Sequence, residues 1–209
     1  MARKTKQEAR ETRAAIVDAA VQVFSVKGVA ATSLADVARE AGVTRGAIYW
    51  HFANKADLLA ALWDEVLQMY ASQAQASEHA DEPDPLGKLK MLYVALLQGL
   101  VDNPRQQQLT RILFDKSGSA EDFEVIRVRH VACMSERFER IQMVLRHAMD
   151  RGQLPANMDC PLGAMAVLSY IHGLISQWVM TPDLVDMRRA APCLIEGLMQ
   201  MLRSGLTRG

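Results

Sequence analysis

Cysteine is scarce and scattered in this chain: the three present, Cys133, Cys160 and Cys193, include no closely spaced pair. An odd number without a Cys-x-x-Cys pattern indicates neither a disulfide framework nor a zinc site, and fits a reducing cytoplasm. Aromatic residues make up only 6% of the chain. The alternating polar and apolar runs of half-buried strands are nearly absent as well, which argues against a β-rich fold. Enzyme signatures are missing too. There is no Gly-x-Ser-x-Gly, no phosphate-cradling glycine loop and no His-Glu-x-x-His, so no catalytic residue is assigned. His130 and Cys133 fall on one helical face but lack an evident third ligand, and neither a metal nor a cofactor is expected. The opening residues, Met-Ala-Arg-Lys-Thr-Lys-Gln-Glu, carry no apolar stretch of an export signal, so the expected location is the cytoplasm.

Net charge is absent as well, because 24 basic side chains balance 24 acidic ones. The balance is an average over unequal parts. Residues 1–55 hold nine basic residues against five acidic ones, a net of +4, and the remainder carries −4. A basic N-terminal quarter on an acidic body suggests a small module that meets phosphate and a larger one that does not. One run, Cys160 to Pro182, has no charged residue and is long enough to cross a bilayer. Ser169, His172, Ser176 and Gln177 interrupt it, and Gly163 and Gly173 weaken it. Such a helix belongs between protein surfaces, so no membrane partner is expected.

What is abundant is helical spacing, which predicts an all-α chain of about nine helices. A first helix is expected over Gln7–Val26, stopped by Gly28; the helices then become short, one over Leu34–Ala41 opened by Ser33 and Asp36 and one over Arg45–His51 capped by Thr44. A longer helix starts near Asn54. Glu78–Pro85 and Lys116–Ala120 read as loops, and the last two helices span roughly Pro161–Met180 and Asp183–Ser204. Domains are expected at 1–55 and 56–209.

Leu34 to His51 reads as helix, tight turn, helix. Ala38 is small where the second helix crosses, Gly42 permits the turn, Val43 plugs the corner and Ile48 anchors the second helix. Thr44, Arg45, Gly46, Tyr49, Trp50 and His51 are left to project outward, which suits a helix entering the major groove of DNA. Arg45 is the candidate for a bidentate contact to guanine O6 and N7. Thr32 or Ser33, on one side, and Thr44, Tyr49, His51 and Lys55, on the other, are candidates for phosphate contacts, with Arg3, Lys4 and Lys6 as an arm. Tyr49 and Trp50 as half-buried packing groups is the alternative.

The run Thr-Ser-Leu-Ala-Asp-Val-Ala-Arg-Glu-Ala-Gly-Val-Thr-Arg-Gly-Ala-Ile-Tyr-Trp-His-Phe-Ala-Asn-Lys-Ala-Asp-Leu, beginning at Thr32, closely resembles the signature of TetR-family transcriptional regulators. Asp84-Pro85-Leu86-Gly87 and Arg151-Gly152-Gln153-Leu154-Pro155 resemble the branch that represses multidrug efflux pumps. The resemblance implies a homodimer joined through the last two helices, a palindromic double-stranded operator, and a hydrophobic small-molecule effector in the C-terminal bundle. It would place ligand contacts near Leu92, Tyr93, Leu96, Thr110, Phe114, Arg137, Ile141, Leu168, His172 and Ile175. The last two helices read as apolar almost all round, which fits either a dimer surface or full enclosure in the core. The 12 methionines suit a deformable cavity and an ordinary core equally. A metabolic regulator with a different effector is the alternative function.

Overall fold

The computed structural model describes residues 6–74, 82–114 and 120–206. Among them are nine α-helices and no strand: α1 (Lys6–Lys27), α2 (Leu34–Glu40), α3 (Arg45–His51), α4 (Lys55–Ala74), α5 (Pro85–Asp102), α6 (Pro104–Phe114), α7 (Ala120–Asp150), α8 (Cys160–Met180) and α9 (Met187–Ser204). Two compact units form. The first comprises the residues up to Leu67 with Gln108–His130, the second Gln68–Gln107 with the residues from Val131 onward.

In the first unit, α2 packs on α1 and α3. Its core joins Ile16, Ala20 and Phe24 of α1 to Val37, Ile48, Leu58, Leu59 and Leu62, each at most 3% exposed. A fully buried leucine or isoleucine contributes about 1.5–3 kcal/mol, so this cluster is what holds α2 and α3, at seven residues each too short to persist alone, against α1. Compactness does not stop at residue 55. The first turns of α4 belong to this unit, because Trp63 stacks edge-on against His130 and Asp64 pairs with Arg129, both on α7.

In the second unit, α5 packs along α9, and α8 also contacts α9. Leu89, Leu97 and Leu100 of α5, Leu145 of α7, Val167 of α8 and Ile195, Leu198 and Leu202 of α9 are at most 2% exposed. A Cβ at Gly163 would meet the ends of the Met158 and Leu145 side chains, which would have to shift to admit it. The two motifs beyond the helix-turn-helix meet here. Gln153 accepts from the Leu86 N–H (3.1 Å) and donates to Asp84 Oδ1 (2.6 Å), and Asp84 also accepts from the Gly87 N–H at 2.9 Å. The Gly87 N–H and then Gln153 hold the Asp84 carboxyl below the usual range.

Three expectations change. The final helix starts at Met187 rather than Asp183, because Pro182–Leu184 closes into a single 3-10 turn and the Asp186 side chain then caps the Arg189 N–H. Ala120 is already helical. The rest of the Lys116–Ala120 loop, and positions 78–81 of the other, lie outside the described residues. Finally, α9 is not apolar all round. Its buried Met187, Ala191, Ile195, Leu198, Met199 and Leu202 form one stripe, with Arg188, Arg189, Cys193, Gly197 and Gln200 outward.

Candidate nucleic-acid interface

The geometry of the helix-turn-helix follows from local chemistry. Ser33 caps α2 by accepting from the Asp36 N–H, while Asp36 accepts from the Ser33 N–H, a reciprocal capping box. Gly42 sits at φ +64°, where a Cβ is disfavoured, and turns the chain so that the Val43 N–H reaches the Ala38 carbonyl at 2.9 Å. Thr44 then caps α3, its hydroxyl oxygen accepting from the Ala47 N–H at 3.2 Å. With Ile48 fully buried as the anchor, Thr44, Arg45, Gly46, Tyr49 and Trp50 are exposed, Tyr49 at 57% and Trp50 at 73%. The packing alternative for the two aromatics is therefore excluded within this chain. Trp50 is stiffened by an edge contact with His51, which is half-buried, at 4.5 Å between ring centroids. Arg45 has no ion pair or hydrogen bond among the described residues.

The expected phosphate contacts divide. Thr32 is only 4% exposed and its hydroxyl donates to the Gly28 carbonyl at 2.7 Å, so it fastens the turn after α1 instead of facing outward. Ser33 donates its hydroxyl to Asp36 at 2.6 Å. That hydrogen bond, the Ser33 N–H and Lys27 hold the Asp36 carboxyl far below the usual carboxylate range. Lys27 at 3.1 Å and Arg39 at 3.6 Å accompany that charge, while the Ser33 hydroxyl is engaged within the chain. Lys55 donates to the Val29 carbonyl at 3.0 Å, bridging 26 residues to hold α4 against the same turn. Arg3 and Lys4 lie outside the described residues, and Lys6 opens α1.

The residues expected at a ligand site are distributed over both units. In the second, Tyr93, Leu96, Ile141 and Ile175 are buried, and Leu92, Arg137 and Leu168 are half-buried. His172 is exposed. It shares the outward stripe of α8 with Met165, Ser169 and Gly173, because the inward stripe is taken by Val167, Ile171, Ile175 and Trp178. Thr110 is buried and Phe114 half-buried in the first unit. Sequence reasoning missed Trp63 of the first unit, whose buried indole N–H has no hydrogen-bond partner among the described residues. Its place in an apolar stripe gave no sign of an open donor. No group of three or more His, Cys, Asp or Glu gathers as a metal site among the described residues.

Two family models match this chain: bacterial regulatory proteins of the tetR family over residues 16–62, and the C-terminal region of MAATS-type transcriptional repressors over residues 84–204. The chain belongs to the TetR family. This TetR-family member is 41% identical over 203 residues to the HTH-type transcriptional regulator TtgR of Pseudomonas putida, covering 97% of each chain. The crystal structure of NalD, the secondary repressor of the MexAB-OprM multidrug efflux pump in Pseudomonas aeruginosa, matches with a TM-score of 0.83 and 30% identity, over 95% of this chain and 98% of that one. The SmeT-triclosan complex matches with a TM-score of 0.82 and 27% identity, over 91% of each. As a TetR-family transcriptional regulator, the protein is not an enzyme.

Proposed function

We propose that this protein is a cytoplasmic, homodimeric repressor of a multidrug efflux pump operon, released from its operator by a hydrophobic drug-like ligand. The observation that carries the reading is the outward face of α3, where a capped and core-anchored helix presents Thr44, Arg45, Gly46, Tyr49 and Trp50. Arg45 reads a guanine, and Thr44, Tyr49 and His51 position the helix on phosphates. The efflux assignment rests on likeness to TtgR and NalD, and ligand release on likeness to the SmeT-triclosan complex.

The ligand meets the second unit at Leu92, Tyr93, Leu96, Arg137, Ile141, Leu168 and Ile175. The dimer forms on the outward faces of α8 and α9. In support, Leu162, Met165 and Met180 of α8 are 43%, 55% and 75% exposed. Gly173 and Gly197 lie within the two helices, and a Cβ at either would touch nothing within 4 Å, so no packing within the chain requires a bare position. Although α8 is the one described helix long and apolar enough to cross a membrane, its inward stripe packs in the core. The ligand acts only through its different affinities for the bound and released states.

The test is fluorescence anisotropy of the protein on the DNA upstream of its own gene, at fixed salt, with and without hydrophobic antibiotics, dyes and acyl-CoA. Specific binding reversed by the drugs supports the reading. Reversal by acyl-CoA alone, or no specific binding by folded dimer, overturns it.

A further inference from the structure

The first two turns of α1 carry a charge pattern that the core does not explain. Val17, Ala20 and Phe24 line the side of α1 that packs in the first unit, each at most 8% exposed. Counting back from Val17 by four and three residues in alternation gives Arg13, Arg10 and Lys6, so the buried stripe runs on toward the N-terminus as a basic one. All three are exposed. Glu8 and Glu11, the acids of these turns, lie off the stripe, and Gln7 donates to Glu11 at 2.8 Å. Lys6 and Arg10 have no ion pair or hydrogen bond among the described residues.

The stripe ends at the reading helix. The Arg13 guanidinium lies over the ring of Phe52, 5.0 Å from its centroid. Phe52 is the C-cap of α3 and a fixed platform, because it is 1% exposed and its N–H donates to the Ile48 carbonyl at 2.9 Å. It follows His51, whose ring meets Trp50 edge-on. Arg13 is thereby held at the C-terminal end of a helix of seven residues, about 10 Å long, which a major groove about 12 Å wide admits. The walls of that groove are sugar and phosphate. Lys6 to Arg13 spans about 10 Å of helix, the axial rise of about three nucleotides of one strand. A row of three cations with no acid on the same stripe fits a polyanion, and neither an apolar nor a cationic partner.

We propose that Lys6, Arg10 and Arg13 form a phosphate-binding stripe that clamps the DNA backbone flanking the bases read by α3, with Arg13 placed at the junction by Phe52. This rests on the reading of α3 as the helix that enters the major groove, and extends the contact with DNA to α1. Such contacts hold register without reading sequence.

The test is fluorescence anisotropy of the full-length protein on the DNA upstream of its own gene and on a scrambled duplex of equal length, at salt concentrations from about 50 to 200 mM. Arg10→Gln and Arg13→Gln should each flatten the slope of log affinity against log salt by about 0.9 on both duplexes, and the double variant by about 1.8. Arg13→Lys should restore the slope by keeping the charge. Glu11→Gln changes the charge of the same helix off the stripe and should leave the slope where it is. Thermal unfolding of each variant separates lost contact from lost fold. If folded Arg10→Gln and Arg13→Gln keep the parent slope while Arg45→Ala weakens operator binding, α3 reads DNA without this stripe and the inference is wrong. The same holds if Glu11→Gln shifts the slope as much as Arg10→Gln does, since net charge then accounts for both. If Arg45→Ala too leaves operator binding unchanged, the reading of α3 falls and this inference with it.

Discussion

Gly46 offers a substitution whose effects on stability and on function have opposite signs. It is the second residue of α3, its φ is not positive, and an added Cβ would meet only Thr44 Oγ1, at 3.9 Å. Neither backbone strain nor packing therefore requires glycine. Within the free protein, Gly46→Ala removes backbone freedom from the unfolded chain and should stabilise by about 0.5–1 kcal/mol. For a chain of this size that corresponds to a rise in Tm of roughly 1–3 °C. The cost appears only against DNA. The position lies between Arg45 and the exposed rings of Tyr49 and Trp50, so a methyl group there holds the whole face away from the groove. We expect operator affinity to fall by about tenfold, or about 1.4 kcal/mol. Thermal unfolding and fluorescence anisotropy at one salt concentration read the two effects separately. A variant that is more stable and binds as tightly as the parent would refute close approach at Gly46; a less stable variant would refute the claim that the space is open.

Three further predictions concern Arg45, Asp36 and Gln153. Arg45→Ala should lose about 1–3 kcal/mol of operator binding, mostly as lost discrimination between sequences, with ligand affinity intact; loss of both together in a titration would argue against separable modules. Because the Asp36 carboxyl is held below its ordinary value by Ser33 and Lys27, it contributes stability above the ordinary carboxylate pKa and loses it as pH falls. Thermal melts below about pH 4 should therefore erode the parent more than Asp36→Asn, and equal slopes would refute the assignment. Gln153→Ala strands the N–H of Leu86, a residue 2% exposed, and should lower stability in chemical denaturation by about 1–3 kcal/mol.

Whatever depends on residues near in sequence could be read directly. Ser33 and Asp36 are three apart, Gly42 follows its helix at once, and Ile48 holds the inward position that helical spacing gives it. Bonds that cross the fold were not legible. Lys55 looks like a phosphate ligand because it carries a donor beside the reading helix, yet its acceptor is the Val29 carbonyl, 26 residues away; Thr32 looks like one too, but its bond is the local one to the Gly28 carbonyl four residues back. Gln153 and Asp84 were visible only as members of two motifs; that they touch across 69 residues is a fact of tertiary structure. His172 was placed by resemblance alone, and the phase of α8, set by Val167, Ile171 and Ile175, turns it outward. In α9, Pro192 has no N–H for the Arg188 carbonyl, and Gln98 of α5 donates there instead at 3.1 Å.

That replacement bond makes α5 a fastened element. Its start is held by Gln153, its flank by Lys90 to Glu196 at 2.6 Å, and its end by Asp102, which accepts from Arg188 Nε at 3.1 Å. Each exposed ion pair is weak alone, but together they fix α5 to α9 along its length and leave it little freedom to shift independently. A ligand at the site proposed around Leu92, Tyr93 and Leu96 would therefore act on a helix whose other side is tied to the proposed dimer helix. Lowering operator occupancy tenfold requires the ligand to prefer the released state by about 1.4 kcal/mol. A single charge-assisted hydrogen bond made in only one of the two states is of that size.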